Sequence, residues 1–196
     1  MRTGAPAVFL DKDGTLVENV PFSVDQDDVR LTPGAGSALR TLAQAGYRLV
    51  VVSNQPGVAY GLFAQAALGF VERRLQRLLT RYGVSLDACY WCPHAPTDGT
   101  VACPCRKPAP GLLLRARREL DLDLTRSWLV GDILDDVEAG RTAGCRTVLL
   151  SVGHETEWRL TPARIPHRIV PNLPAAVRAV VGNTDDGGLF AVREAS

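Results

Sequence analysis

Two carboxylates separated by one residue follow a short apolar run near the start of the chain, in the segment Val-Phe-Leu-Asp-Lys-Asp-Gly-Thr at positions 8–15. Side chains two residues apart on an extended backbone lie on one face, so Asp11 and Asp13 can converge just beyond the strand. Carboxylates that close repel each other unless one is protonated or a cation lies between them. Mg²⁺ suits such oxygen ligands and often binds substrate phosphate oxygens as well, and Gly14 would let backbone amides approach an anion closely. The segment therefore favours a magnesium site for a phosphorylated ligand, although a bare Asp-x-Asp is more often an acidic turn.

Side chains that could bind a phosphate group occur further along the chain. Ser53, Asn54 and Gln55 follow an apolar run, and their hydroxyl and amide groups can hydrogen-bond phosphate oxygens without adding charge. A serine at a turn or helix N-cap is an equally good interpretation. A lysine such as Lys107 at a phosphoryl-transfer centre neutralises the nucleophile and the developing charge. The neighbouring Arg106 is a candidate for gripping the substrate, although an isolated Arg-Lys pair would simply be solvated.

A third carboxylate for the metal is predicted at Asp132, which follows the apolar run Trp-Leu-Val-Gly. Asp136 lies four residues later and could support the site without touching the metal. Capping of a helix is an alternative role for Asp135 or Asp136. One strand end that carries an aspartate is unremarkable, whereas several that converge would make a site.

A second group of residues has the spacing of metal ligands. Cys-Pro-His at 92–94 and Cys-Pro-Cys at 103–105 supply four soft or borderline donors in a short stretch. The predicted ligands of a closed tetrahedral Zn²⁺ site are Cys92, His94, Cys103 and Cys105. The intervening loop has little apolar content, so the metal would supply its order. Because protein ligands fill all four positions, this zinc would be structural rather than catalytic.

The remaining cysteines and histidines are not predicted to bind the metal. Cys89 forms a Cys-x-x-Cys with Cys92, but it falls in a predicted strand, which favours burial there. Cys145 follows a glycine before another predicted strand and is expected in the core. His154 and His167 lack ligand-like neighbours and are expected at the surface.

Strand-like and helical patterns alternate along the chain and would position these groups. Strand-like runs occur at 7–10, 48–53, 88–91, 128–130, 147–150 and 168–170. Helical patterns occur at 36–45, 64–81, 110–120, 135–143 and 173–180. Such alternation predicts right-handed β-α-β units and an α/β fold, a three-layer Rossmann-like parallel sheet between helices. Ligands of such sheets bind at the carboxyl ends of the strands, where Asp11, Ser53 and Asp132 fall.

Length and composition indicate one globular domain. The 196 residues, 46% hydrophobic and 22% charged, suit a single domain over 1–182 with a loose tail at 183–196. The net charge of +1 gives no general attraction to nucleic acid or to an anionic membrane. No run is long enough to span a bilayer or to form the core of a signal peptide. A cytoplasmic monomer is therefore expected, with its five cysteines as ligands or buried thiols.

The motifs in chain order resemble those of the haloacid dehalogenase (HAD) superfamily of phosphohydrolases. The resemblance covers residues 7–150 and rests on Asp11-x-Asp13-Gly14-Thr15, Ser53, Lys107 and Gly131-Asp132-x-x-x-Asp136. It implies a Mg²⁺-dependent reaction in two steps through an aspartyl-phosphate. Asp11 would be the nucleophile, and Asp13 the general acid that later activates water. Ser53 and Lys107 would stabilise the transferring phosphoryl group, while Asp11, the backbone carbonyl of Asp13 and Asp132 would hold Mg²⁺.

The pattern Cys-x-His followed by Cys-x-Cys-Arg-Lys-Pro narrows the resemblance within the superfamily. It is similar to that of the D-glycero-D-manno-heptose-1,7-bisphosphate phosphatases and the related histidinol-phosphate phosphatases, as are residues 52–59 and 105–111. The short interval between Asp11 and Ser53 leaves no room for a large cap domain, so the zinc loop at 92–105 is the expected substrate-facing insertion. Tyr60 and Ile133 stand where the heptose enzymes usually carry arginine and lysine. Both differences remove a positive charge near the expected place of a distal phosphate.

The resemblance implies a phosphatase that acts on a small phosphorylated molecule. The first expected substrate is the 7-phosphate of D-glycero-D-manno-heptose 1,7-bisphosphate, and histidinol phosphate or another small phosphomonoester is the alternative. An inactive zinc-stabilised interaction module is the alternative of a different class, and it predicts a broken catalytic position, which this sequence does not have. A nucleic-acid phosphatase is disfavoured by the neutral charge and by the lack of a basic-aromatic stripe.

Overall fold

The computed structural model describes residues 4–96 and 103–182. Among these residues are the strands β1 Ala7–Leu10, β2 Arg48–Asn54, β3 Ala88–Cys92, β4 Trp128–Gly131, β5 Arg146–Leu150 and β6 Arg168–Val170. They form one sheet in the order β3-β2-β1-β4-β5-β6, and every neighbouring pair is parallel. The tail predicted at 183–196 lies outside the described residues.

Strand β1 lies inside the sheet and is buried on both of its faces. Ala7 and Phe9 contribute to one hydrophobic core, and Val8 and Leu10 contribute to the other. The division follows from the alternation of side chains along a strand. Burial on both faces explains why the sequence of this strand is a continuous apolar run rather than an alternation of apolar and polar residues.

The helices cover both faces of the sheet. They are α1 Ala35–Gln44, α2 Leu68–Thr80, α3 Gly111–Leu120, α4 Leu134–Ala143 and α5 Leu173–Val181. Helices α1, α2 and α5 pack on one face through residues such as Leu39, Leu75 and Val177, and α3 packs on the other through Leu113. The three-layer α/β fold predicted from the sequence is therefore confirmed. Within the described ranges, none of the helices has the length and apolar character needed to cross a membrane.

Most element bounds agree with the sequence prediction to within two residues. The clearest difference is the helix predicted at 64–81, which begins as a separate 3₁₀ turn at Gln65–Ala67 before α2. The local sequence is Ala-Gln-Ala-Ala, so no capping residue marks where the α-helix starts. Between β1 and β2, a loop with a bridge from Val17 to Leu31 leads into α1. This interval contains no inserted domain, as its length predicted.

Candidate active site

The carboxyl ends of β1, β2 and β4 lie side by side at one edge of the sheet. Leu10, the last residue of β1, pairs with Val51 of β2 and Val130 of β4. The backbone N–H of Asp11 then donates to the carbonyl of Val130 at 3.0 Å. Because the sheet is parallel, the polar residues that follow these strands meet at this edge.

A buried ammonium group joins three of the segments at this edge. Nζ of Lys107 donates to Oδ1 of Asp11 at 2.5 Å, to Oδ1 of Asp136 at 2.6 Å and to the carbonyl of Val52 at 3.1 Å. Its three donors are therefore matched by three acceptors. Burial alone would lower the pKa of Lys107, but the two carboxylates outweigh it and raise the pKa above its usual value. The lysine stays charged and holds Asp11 in place.

Three buried carboxylates lie close enough to share a cation. Asp11, Asp132 and Asp136 each offer an oxygen, and these oxygens lie within 4.8 Å of one another. Burial, followed by repulsion from Asp11, raises the pKa of Asp132 to about 7. Burial also raises the pKa of Asp136 to about 7 despite the contact with Lys107. Such crowding of hard oxygen donors fits a divalent cation such as Mg²⁺, which would relieve the repulsion.

Asp13 differs from these three in its partners and its exposure. Its Oδ1 lies 2.9 Å from Nζ of Lys12, and its Oδ2 accepts a hydrogen bond from Nε2 of Gln55 at 3.0 Å. The side chain is 31% exposed, so it can reach a bound ligand. Burial raises the pKa of Asp13, and Lys12 and Gln55 oppose this only in part. A carboxyl group that holds its proton more readily suits a general acid.

The residues at the end of β2 and just after it connect these groups to one another. Nε2 of Gln55 also donates to the buried hydroxyl of Ser53 at 3.0 Å. The side chain of Asn54 donates to the carbonyl of Lys107 and accepts from its N–H, both at 3.0 Å. Asn54 therefore fixes the backbone of Lys107, a positioning contact that the sequence did not reveal.

Four soft or borderline donors cluster where the sequence predicted a zinc site. The donor atoms of Cys92, His94, Cys103 and Cys105 all lie within 4.8 Å of one another. Sγ of Cys105 is 3.0 Å from Sγ of Cys92 and 2.9 Å from Sγ of Cys103, which in turn is 2.9 Å from Nδ1 of His94. Cys89 lies outside the cluster and packs against a core. The donor set fits tetrahedral Zn²⁺.

Comparisons of this chain with known proteins all point to the same family. A HAD-hydrolase-like family model matches residues 104–176. The chain is 37% identical over 187 residues to the D-glycero-beta-D-manno-heptose-1,7-bisphosphate 7-phosphatase of Photorhabdus laumondii, covering 92% of this chain and 99% of that one. It is 39% identical over 155 residues to the enzyme of the same name from Escherichia coli K12, covering 76% and 81%.

The chain belongs to the HAD family of phosphatases.

Solved structures of other HAD phosphatases have the same fold. The D,D-heptose 1,7-bisphosphate phosphatase of B. bronchiseptica, complexed with magnesium and phosphate, is 31% identical with a TM-score of 0.78 over 91% of this chain and 99% of that one. A HAD-like phosphatase from Mesorhizobium loti is 33% identical with a TM-score of 0.74 over 94% and 90%. These relatives extend the likeness beyond the part of the chain that the family model matches.

Arg106 of this HAD phosphatase links the cysteine cluster to the segment that carries Lys107. Its guanidinium donates to the carbonyl of His94 at 3.1 Å, and its backbone neighbours Lys107. A metal bound by His94 would therefore also fix the place of Arg106. The contact leaves other guanidinium donors available to a ligand.

His154 is the site residue that sequence reasoning missed. Its side chain is 34% exposed, in line with the predicted surface position, but its Nδ1 lies 2.6 Å from Oδ2 of Asp132, a neighbour that the sequence did not reveal. The available signal was its place shortly after β5, at the same edge of the sheet as the other site residues. His167 is half-buried, and its Nδ1 accepts a hydrogen bond from the backbone N–H of Thr147 at 3.0 Å.

A cavity of about 610 Å³ opens beside Ile133 and His154. Its wall includes the carboxylates of Asp135, Glu138 and Glu155, and its basic residues are already in ion pairs with acids. The charge of this wall favours a neutral or cationic group over a second phosphate.

Proposed function

We propose that this phosphatase removes the 7-phosphate of D-glycero-D-manno-heptose 1,7-bisphosphate in a Mg²⁺-dependent reaction. The observation that carries the proposal is the buried Lys107, which orients Asp11 at a strand end beside Asp132. The names of relatives 37–40% identical to this chain support the substrate. The enzyme would act as a single domain and a cytoplasmic monomer on a small molecule rather than on nucleic acid.

Asp11 is assigned as the nucleophile. A carboxylate oxygen of Asp11 attacks the phosphorus of the substrate, and the bond from phosphorus to the leaving oxygen breaks as the aspartyl-phosphate forms. Ser53 and Lys107 stabilise the oxygens of the transferring group. Asp136 contributes through Lys107, whose ammonium group it helps to hold.

Asp13 is assigned as the proton carrier for both steps. Its carboxyl proton goes to the leaving oxygen in the first step, which releases the alcohol. The resulting carboxylate then accepts a proton from water, whose oxygen attacks the phosphorus and frees Asp11 and inorganic phosphate. Gln55 holds Asp13 by a hydrogen bond to Oδ2 and lies where it could also contact the phosphate.

Two metals are assigned to separate positions. Asp11, the backbone carbonyl of Asp13 and Asp132 would hold Mg²⁺, which when bound neutralises negative charge on the phosphate and the carboxylates. Zn²⁺ would be held by Cys92, His94, Cys103 and Cys105 and would order the loop that carries Arg106. We assign Arg106 to the substrate, as a donor to a phosphate or a hydroxyl.

A monophosphate such as histidinol phosphate is the second candidate substrate. Tyr60 is 52% exposed and stacks edge-to-face on Phe22 with ring centroids 6.0 Å apart, so no cation projects from this position. Tyr60 and Ile133 are uncharged, and the wall beside Ile133 is acidic. A distal phosphate therefore has fewer partners here than it would have beside a cationic side chain. A substrate with an amine or a neutral polyol at that end would fit it.

The experiment compares kcat/KM for the two anomers of the heptose bisphosphate, histidinol phosphate and a panel of sugar monophosphates with Mg²⁺ present. The proposal expects the highest kcat/KM for a heptose bisphosphate, with ³¹P NMR showing loss of the 7-phosphate and retention of the 1-phosphate. Higher kcat/KM for histidinol phosphate would select the second candidate. A folded, zinc-loaded protein that releases phosphate from none of these compounds would support the inactive interaction module instead.

A further inference from the structure

The His154 ring lies against a carboxylate that the proposed function assigns to Mg²⁺. Nδ1 of His154 is 2.6 Å from Oδ2 of Asp132. The hydroxyl of Thr15 is a more distant donor, 3.4 Å from Oδ1 of the same carboxylate. His154 is therefore the strongest hydrogen-bond partner of Asp132 among the described side chains, and it contacts the oxygen that Thr15 does not.

Gly14 makes room for this contact. A Cβ atom at Gly14 would lie 2.3 Å from Oδ2 of Asp132 and 2.4 Å from Nδ1 of His154. Both distances are far below a van der Waals contact, and the backbone of Gly14 has a φ of +79°, which other residues rarely adopt. The glycine after Asp13 thus allows the imidazole and the carboxylate to meet.

Other contacts hold the loop that carries His154. Oε2 of Glu155 accepts the backbone N–H of Leu134 at 2.6 Å, at the start of α4. Arg164 donates to Asp135 at 2.7 Å and to Glu138 at 2.6 Å. The loop is tied at both ends to the segment just after Asp132, so the place of His154 does not depend on its own hydrogen bond.

We propose that His154 is a positioning residue for the catalytic metal site, an inference that rests on the proposed Mg²⁺ ligand Asp132. Its Nδ1–H donates to Oδ2 and fixes the rotation of the carboxylate, which leaves Oδ1 for the metal. Hydrogen bonds of this kind to metal ligands raise metal affinity because the ligand is held in its binding orientation before the metal arrives.

The test measures the affinity of the zinc-loaded protein for Mg²⁺ by calorimetry and for Mn²⁺ by EPR, at one fixed pH. His154→Ala should weaken both by about tenfold, the lower end of the effect of losing such a partner. His154→Asn should restore the affinity, because its amide nitrogen can occupy the place of Nδ1. Trp158→Ala is the matched control, since it removes an exposed ring from the same loop and should leave the affinity unchanged.

Wild-type affinity in His154→Ala, or a folded His154→Asn that stays as weak as His154→Ala, would overturn the proposal. So would strong ¹⁴N coupling to bound Mn²⁺ in pulsed EPR, because that would make His154 a direct ligand. Asp132→Asn tests the proposed metal site separately from the role of His154. If it keeps its metal affinity, the proposed metal site itself is wrong, whereas loss of affinity in Asp132→Asn but not in His154→Ala removes only the role of His154.

Discussion

The buried ammonium group of Lys107 joins two carboxylates of the site, those of Asp11 and Asp136. Lys107→Met keeps much of the volume but leaves these two charges facing each other without a cation. We expect the free energy of unfolding to fall by about 3–5 kcal/mol and kcat to fall by about 10²–10³-fold. Urea denaturation and steady-state kinetics at one Mg²⁺ concentration measure the two effects.

The double variant Lys107→Met, Asp136→Asn separates stability from catalysis. It removes one of the unpaired charges, so it should regain part of the lost stability while kcat stays low. Recovery of kcat together with stability would mean that Lys107 serves only to neutralise Asp136.

His167 is the residue whose neutral form the fold requires. Its Nδ1 accepts the N–H of Thr147, which a protonated ring could not do. Burial, together with the positive charges of Arg141, Arg146 and Arg168, lowers the pKa of His167 below its usual value of 6.5. The unfolded chain therefore binds a proton at His167 more readily than the folded protein does.

The stabilisation from His167 should depend on pH in a defined direction. Because the folded-state pKa is depressed, the contribution is complete above pH 6.5 and is lost as the pH falls through the folded-state pKa. The raised pKa values of Asp132 and Asp136 make the free energy of unfolding change with pH in the opposite direction. The wild type is therefore compared with His167→Asn, which lacks the titrating ring but keeps both aspartates. The difference in unfolding free energy between wild type and variant should shrink from about pH 8 to about pH 5. A difference that does not change over this range would contradict the assignment.

Among the elements, the end of β3 and the segment that leads from it to α3 carry both the cysteine cluster and the pair Arg106-Lys107. Loss of zinc would release His94 and with it the anchor of Arg106, whereas Asn54 would still hold the backbone of Lys107. Cys105→Ser should therefore lose its zinc and raise KM more than it lowers kcat. Metal analysis by mass spectrometry and steady-state kinetics measure these changes.

Cys89→Ser is the matched control for the zinc loop, since Cys89 lies nearby in β3 but outside the cluster. It should keep one zinc per chain and a normal KM. Full zinc content in Cys105→Ser, or loss of zinc in Cys89→Ser, would show that the ligand set is wrong.

The helices and strands could be predicted where their burial requires a regular pattern of apolar residues in the sequence. Continuous apolar runs marked the buried strands, and the polar residues after them marked the edge that binds ligands. The start of α2 was not predictable because no capping residue precedes it. His154 was missed because its loop has no periodic pattern, and only the folded chain brings it to Asp132. The double contact of Asn54 with Lys107 was hidden for the same reason.

At the scale of the whole molecule, the strand order is what assembles the site. β1 lies between β2 and β4, so three segments distant in sequence end at one point. The described residues include no large cap over the site, and Arg106 and the loop after β5 lie beside it instead. We expect residues around the site, such as Tyr60, Ile133 and Arg106, to set the substrate, and the residues at the strand ends to set the reaction.

The most direct test of the account is to look for phosphate on Asp11 during turnover. The enzyme is mixed with substrate and Mg²⁺, quenched in acid and reduced with borohydride, which converts an aspartyl-phosphate to homoserine, and the peptide containing position 11 is analysed by mass spectrometry. The account predicts substrate-dependent homoserine at position 11 of the wild-type enzyme and none in Asp11→Asn, whereas Asp13→Asn should form it more slowly because the first step loses its general acid. Unmodified Asp11 in the wild-type enzyme at every quench time, or undiminished phosphate release by Asp11→Asn, would contradict it.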